Sequence, residues 1–243
     1  MITADKKMAD LIHLNYLLVS VITRFDIRLG FGDKTITEVC KENSVNTDFF
    51  LEIVNSFHDK EYFTGKHLQG FSIQLIIDYL SKTHLYYLDE KIPEIEQLID
   101  QMINKCYSHH KHAHLLQSFF KEYKEELISH ISREDKTVFP YALEVENAFL
   151  SKKEIKRKQI SQKGYHIDEY RSEHNNIEEK LFDLKNIIIK YLPSPEDQAL
   201  CSRVLSALFI LEQDMNDHSR IEDNVLIPKV ILMERAIHAT KAI

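Results

Sequence analysis

The sequence is short of the residues that punctuate a chain. Its 243 residues include five glycines, five prolines and no tryptophan. So little turn-forming material excludes an all-β fold of many tight turns. Cysteine is scarce too: Cys40, Cys106 and Cys201 stand apart, odd in number and without a CxxC pair. That is no disulfide framework, and it fits a reducing compartment. No apolar run approaches the roughly 18 residues of a membrane span. The opening stretch, MITADKKMADLIHLNYLLVSV, lacks a long apolar segment with a small-residue cleavage site. A cytoplasmic protein is expected. Basic excess is missing as well, since the net charge is -7 and the pI is near 6.0. This argues against a nucleic-acid-binding face. What remains is rich in Leu, Ile, Glu, Lys and Asp, 44% hydrophobic and 28% charged. Such a composition favours helix and can fill a substantial core.

Residues 1–65 read as a small helical domain. A helical stripe of Leu11, Ile12, Leu14, Leu17, Leu18, Val21 and Ile22 runs over Ala9 to Thr23. After the turn Gly30-Phe31-Gly32-Asp33, Thr35 and Glu38 form a capping box for a short helix through Cys40. Asn46 opens a third helix over Phe49 to Phe57. Three short helices bury too little to stand alone, so they are expected to lean on the larger domain. Gly65 to Gly70 reads as a linker. From residue 72 to 235 the helices lengthen into a four-helix bundle, and Pro93 is placed to kink the first of them.

One pattern occurs twice. His130-Ile-Ser-Arg-Glu134-Asp135 and His218-Ser-Arg-Ile-Glu222-Asp223 both read H-x-x-x-E-D, and each reaches a proline ten residues after its histidine. Residues four apart share a helix face, so an imidazole and a carboxylate can aim at one cation. A lone histidine precedes each copy, His84 by 46 residues and His174 by 44. All six residues occupy places on stripes where apolar side chains would otherwise face the interior. A carboxylate buried there is normally paired or on a metal. His84, His130, Glu134, His174, His218 and Glu222 are therefore read as a two-metal site inside the bundle. The donors are nitrogen and carboxylate oxygen without thiolate, which disfavours structural zinc. Two iron ions are preferred over manganese because histidine is rich in the set.

Other residues admit blander readings. His109, His110, His112 and His114 crowd one connection, either as solvated polar residues or as the source of a further ligand. His58, His67, His166 and His238 have no spacing partner. Asp135 and Asp223 can orient ligands or simply lie on helix surfaces. Tyr86, Tyr87, Cys106 and Cys201 are read as packing residues.

The stretches Thr83-His84 with Tyr86-Tyr87, HISREDKTVFPY, RSEHNNIEEKL and DHSRIEDNVLIP resemble the hemerythrin-like domain. The whole chain is similar to the di-iron proteins that repair damaged iron–sulfur clusters, and RFDIRLGFGDKTITEVCKENSV to their N-terminal unit. The resemblance implies an all-α, hemerythrin-like four-helix bundle after a small helical domain. It also implies a non-haem di-iron centre on the six residues named, bridged by Glu134 and Glu222. Two features depart from the family. Leu29-Gly30-Phe31-Gly32 stands where the family carries an adjacent cysteine pair. The family's further ligand histidine falls near Cys106 in an ungapped match, and a shift is needed to reach His109 or His110. One iron is thus expected to be less fully coordinated. The role implied is cluster repair or nitric oxide handling in oxidative and nitrosative stress, with an iron–sulfur protein as client. The alternative is a non-catalytic sensor of oxygen or nitric oxide that signals to a regulatory partner through its N-terminal helices. Neither reading involves nucleic acid or membrane.

Overall fold

The hydrophobic spacing resolves into helices. The computed structural model describes residues 1–62, 65–108, 113–151, 160, 166–172 and 175–239, and among them there is no strand. No described helix is long and apolar enough to cross a membrane.

Four short helices come first: α1 (Met8–Leu14), α2 (Leu18–Thr23), α3 (Ile36–Glu42) and α4 (Thr47–His58). The single stripe expected over residues 9–23 is broken at Asn15. Its side-chain oxygen accepts from the Leu17 amide and offers the backbone a turn in place of another helical bond. The capping box of Thr35 and Glu38 and the cap at Asn46 form as expected.

The first bundle helix is capped by Ser72 and runs Ile73–Tyr86, Tyr87–Lys91 and Ile92–Cys106, its middle segment being a π turn. The second runs Ala113–Arg133, Glu134–Val138 and Phe139–Leu150. The third is Asn175–Asn186 with Ile187–Tyr191, preceded by a short 3-10 helix, Ile167–Ser172. The fourth runs Gln198–Ile221, Glu222–Leu226 and Ile227–Ala239.

Each of these four helices contains a π turn, and the chain itself explains why. One residue and then a proline come after every such turn: Pro93, Pro140, Pro193 and Pro228. A proline has no N–H, and its ring presses on the carbonyl four residues back. A turn widened by one residue moves that carbonyl aside. The residue before each proline then donates five residues back: Ile92 to Tyr87, Phe139 to Glu134, Leu192 to Ile187, and Ile227 to Glu222. The kink expected at Pro93 is thus a π turn through which the helix continues.

The core has two parts. One joins α1–α4 to one end of the bundle, with Phe49, Phe50, Leu80, Val145 and Val230 among its members. The other fills the opposite end around Ile95, Tyr123, Leu127, Leu184 and Leu208. The chain crosses between them at Leu80–Tyr87, Ile131–Val138 and Met215–Ile221. The polar repeat lies at or beside those crossings.

The junction to the bundle is fastened rather than loose. Pro228 cannot donate to the Asn224 carbonyl, and the Gln69 amide does so instead at 3.0 Å. Gly65 has φ +69, and a Cβ on it would lie 2.9 Å from that same carbonyl oxygen. Lys229 closes the contact by donating to the carbonyls of Gln69 and Phe71.

Candidate metal centre

The layer between the two cores is polar and almost dry. His84, Glu134, His218 and Glu222 are 1%, 0%, 6% and 1% exposed, too little for water to satisfy their charges. One potential ligand atom from each lies within 4.8 Å of all the others. His84 Nε2 is 3.2 Å from His218 Nε2 and 3.1 Å from Glu134 Oε2, and His218 Nε2 is 3.3 Å from Glu222 Oε1. Donors that each sit about 2.0–2.2 Å from one cation are about 3.0–3.4 Å from one another. The set therefore fits a cation held by two imidazoles and two carboxylates.

The local helix geometry produces this convergence. Glu134 and Glu222 each open a π turn, and His84 lies three residues before another. Widened turns re-aim side chains and recur at functional sites.

Neighbouring groups fix these donors. Asp135 Oδ1 accepts from His84 Nδ1 at 2.9 Å, which leaves Nε2 as the ring nitrogen that faces the layer. Phe139 stacks on the His84 ring at 5.4 Å, and Tyr87 meets His218 edge-on at 5.8 Å. His218 Nδ1 is buried without a hydrogen-bond partner among the described residues. Burial works against a charged His84, but hydrogen bonds to Asp135 and Glu134 and the charges of Glu134 and Glu222 prevail. They push its pKa up to about 10. The field at this point favours positive charge.

His130 belongs to the same layer but stands apart from the four. Its Nε2 is 3.0 Å from Glu134 Oε1, and its side chain is 15% exposed. Glu134 thus turns one oxygen to His84 and the other to His130. His174 lies outside the described residues, as do His109, His110, His112 and the side chain of His114.

Sequence reasoning left two participants undecided or unseen. Asp135 could have been a surface charge, and it instead orients His84. Tyr170 belongs to no spacing motif, yet its hydroxyl donates to Glu134 Oε1 and lies 3.4 Å from His130 Nε2. The available signal was general: a buried tyrosine hydroxyl seeks a partner. His166 and His238, which had no spacing partner, have ring centroids 6.0 Å apart beside Glu234. Cys106 is 22 residues beyond His84, about 33 Å along a helix, and cannot reach the layer.

A second buried charge ties α2 to the bundle. Arg24, just past α2, ion-pairs with Asp214 of the fourth bundle helix. Its guanidinium also lies 4.5 Å from the Tyr86 ring and 5.7 Å from the Tyr87 ring.

Comparison with known proteins agrees with this arrangement. The Hemerythrin HHE cation binding domain matches residues 77–230, which span the layer and its helices. The chain is also 21% identical to the iron–sulfur cluster repair protein ScdA of Staphylococcus haemolyticus. That match runs over 232 residues, 94% of this chain and 99% of the relative. Bundle, buried donor set and matched span together make the chain a member of the hemerythrin HHE cation-binding domain family.

Proposed function

We propose that the chain holds two iron ions in this layer and serves the repair of iron–sulfur clusters damaged in oxidative or nitrosative stress. The ligands proposed are His84, His130, Glu134, His174, His218 and Glu222. One observation carries the two-ion reading: Glu134 directs Oε2 to His84 Nε2 and Oε1 to His130 Nε2, at 3.1 and 3.0 Å. A carboxylate that serves imidazoles on two sides is placed to bridge. Nitrogen and oxygen donors without thiolate support iron over softer metals. Likeness to the repair protein over nearly the full chain supports the role.

When bound, an iron pair supplies redox chemistry and an exchangeable position for a small ligand such as nitric oxide. The protein's own contribution is orientation and shielding. Asp135 holds His84 in one tautomer, the two apolar clusters keep bulk water from the layer, and Glu134 shares its oxygens between the two sides. His130, the more exposed ligand, marks the side nearer solvent.

The test starts with metal analysis of protein purified without added metal, where close to two irons per chain are expected. Purified chain is then added to an iron–sulfur enzyme inactivated by nitric oxide or peroxide. Stoichiometric recovery of activity, abolished in Glu134→Leu, supports repair. An iron-free chain, or recovery that survives Glu134→Leu, refutes it.

A sensor reading has its own observation. Arg24 touches Tyr87, and Tyr87 touches His218, so the N-terminal helices lie two contacts from a ligand. A sensor would change its binding to a partner on taking up nitric oxide, with clusters left unrepaired.

A further inference from the structure

Among the described residues, Tyr170 is the neighbour of Glu134 that neither the repeat nor the six-residue set accounts for. Its ring is 1% exposed and lies nearly parallel to His130, at 6.0 Å between centroids and 19° between planes. Its hydroxyl touches Glu134 Oε1 and is 3.4 Å from His130 Nε2, and those two atoms are 3.0 Å apart. A phenol carries a single hydrogen, yet here it faces a carboxylate oxygen and an imidazole nitrogen that also face each other. His130 Nε2 stands at the spacing of a neighbouring ligand from both oxygens, and the hydrogen bond between phenol and carboxylate opens when a cation takes the place of its proton, which passes to solvent.

The backbone around Tyr170 is held in place. Ile167 N–H donates to Glu234 Oε1 at 3.4 Å, and the same oxygen accepts from Tyr141 at 2.5 Å. The short 3-10 helix Ile167–Ser172 is thereby fastened to the fourth bundle helix. This attachment keeps the Tyr170 hydroxyl at the His130 side of the layer.

We propose that Tyr170 gives its phenol oxygen as a ligand to the ion held by His130 and Glu134. This rests on the two-ion reading. It supplies an oxygen donor on the His130 side of Glu134, the side on which the four-residue cluster has no member.

A ferric ion bonded to a phenolate has a ligand-to-metal charge-transfer band in the visible, and excitation into it enhances tyrosine ring vibrations. The full chain is loaded with ferrous ammonium sulfate and oxidised in air. Its iron content, visible spectrum and resonance Raman spectrum are then recorded, with a parallel sample grown on ring-deuterated tyrosine. The expected result is iron close to two per chain with ring modes that shift on deuteration. Tyr170→Phe should lose the band and the modes while keeping its helical circular dichroism. Tyr87→Phe, altered at the ring that meets His218, should keep them. Two irons bound without isotope-sensitive ring modes overturn the Tyr170 ligand and leave the two-ion reading standing. No retained iron overturns both. If Tyr170→Phe does not fold, the deuterium shift in the unsubstituted chain, together with Tyr87→Phe, still decides.

Discussion

Asp135 shows how much a single carboxylate can do without touching the cation. Its hydrogen bond to His84 Nδ1 sets which nitrogen faces the layer. Removing such a partner typically weakens metal binding about 10- to 100-fold. Asp135→Ala should therefore lose iron to a chelator at that much lower competitor concentration, with its helical signal unchanged. At this scale the sequence was most informative where it repeats. The histidine–glutamate spacing of four marked Glu134, His218 and Glu222, and the matching upstream distance marked His84, all four of them in the buried layer. Asp135 stayed ambiguous because adjacent residues on a helix point to different sides, and one-dimensional spacing cannot say what the other side meets. Tyr170 has no spacing partner in the sequence, and only the fold brings it to Glu134.

At the level of elements, the π turns decide where the buried imidazoles and carboxylates point. The prolines that impose them were visible as letters, and the one in the first bundle helix read as a kink, since proline breaks the usual bond pattern. What the chain does instead is widen the turn and carry on, a choice that depends on the packing of both flanking segments. Pro228→Ala restores an amide able to donate to the Asn224 carbonyl and lets the turn at Glu222 tighten to an ordinary α turn. The metal-free variant should melt at a higher temperature than the parent, while retaining iron several-fold less well because Glu222 is re-aimed. A lower melting point with unchanged iron retention would contradict this account of the turn. Trading local regularity for a functional geometry is a common compromise.

For the molecule as a whole, the two apolar clusters are the organising fact. Helical periodicity foretold which residues would be buried, but not that they would separate into two bodies with the polar donor set between them. The expectation that the N-terminal helices need support agrees with their sharing a core with one end of the bundle. Arg24 adds a buried ion pair to that union. Removing one partner of a buried pair costs up to about 3–5 kcal/mol, and less here because Asp214, the charge left behind, keeps some contact with solvent. Arg24→Met should shift the urea midpoint down accordingly, and Arg24→Met with Asp214→Leu should recover much of the loss.

The fastening of residues 65–70 to the turn at Glu222 carries a last implication. With its positive φ and no room for a methyl group, Gly65 abuts the oxygen that Gln69 also grips. Gly65→Ala should cost about 1–3 kcal/mol through backbone strain alone, read as a drop in melting temperature. It should also hasten the escape of iron to a chelator, since the displaced Asn224 belongs to the same widened turn as Glu222. One added carbon at a buried turn outside the layer would then loosen what the layer holds.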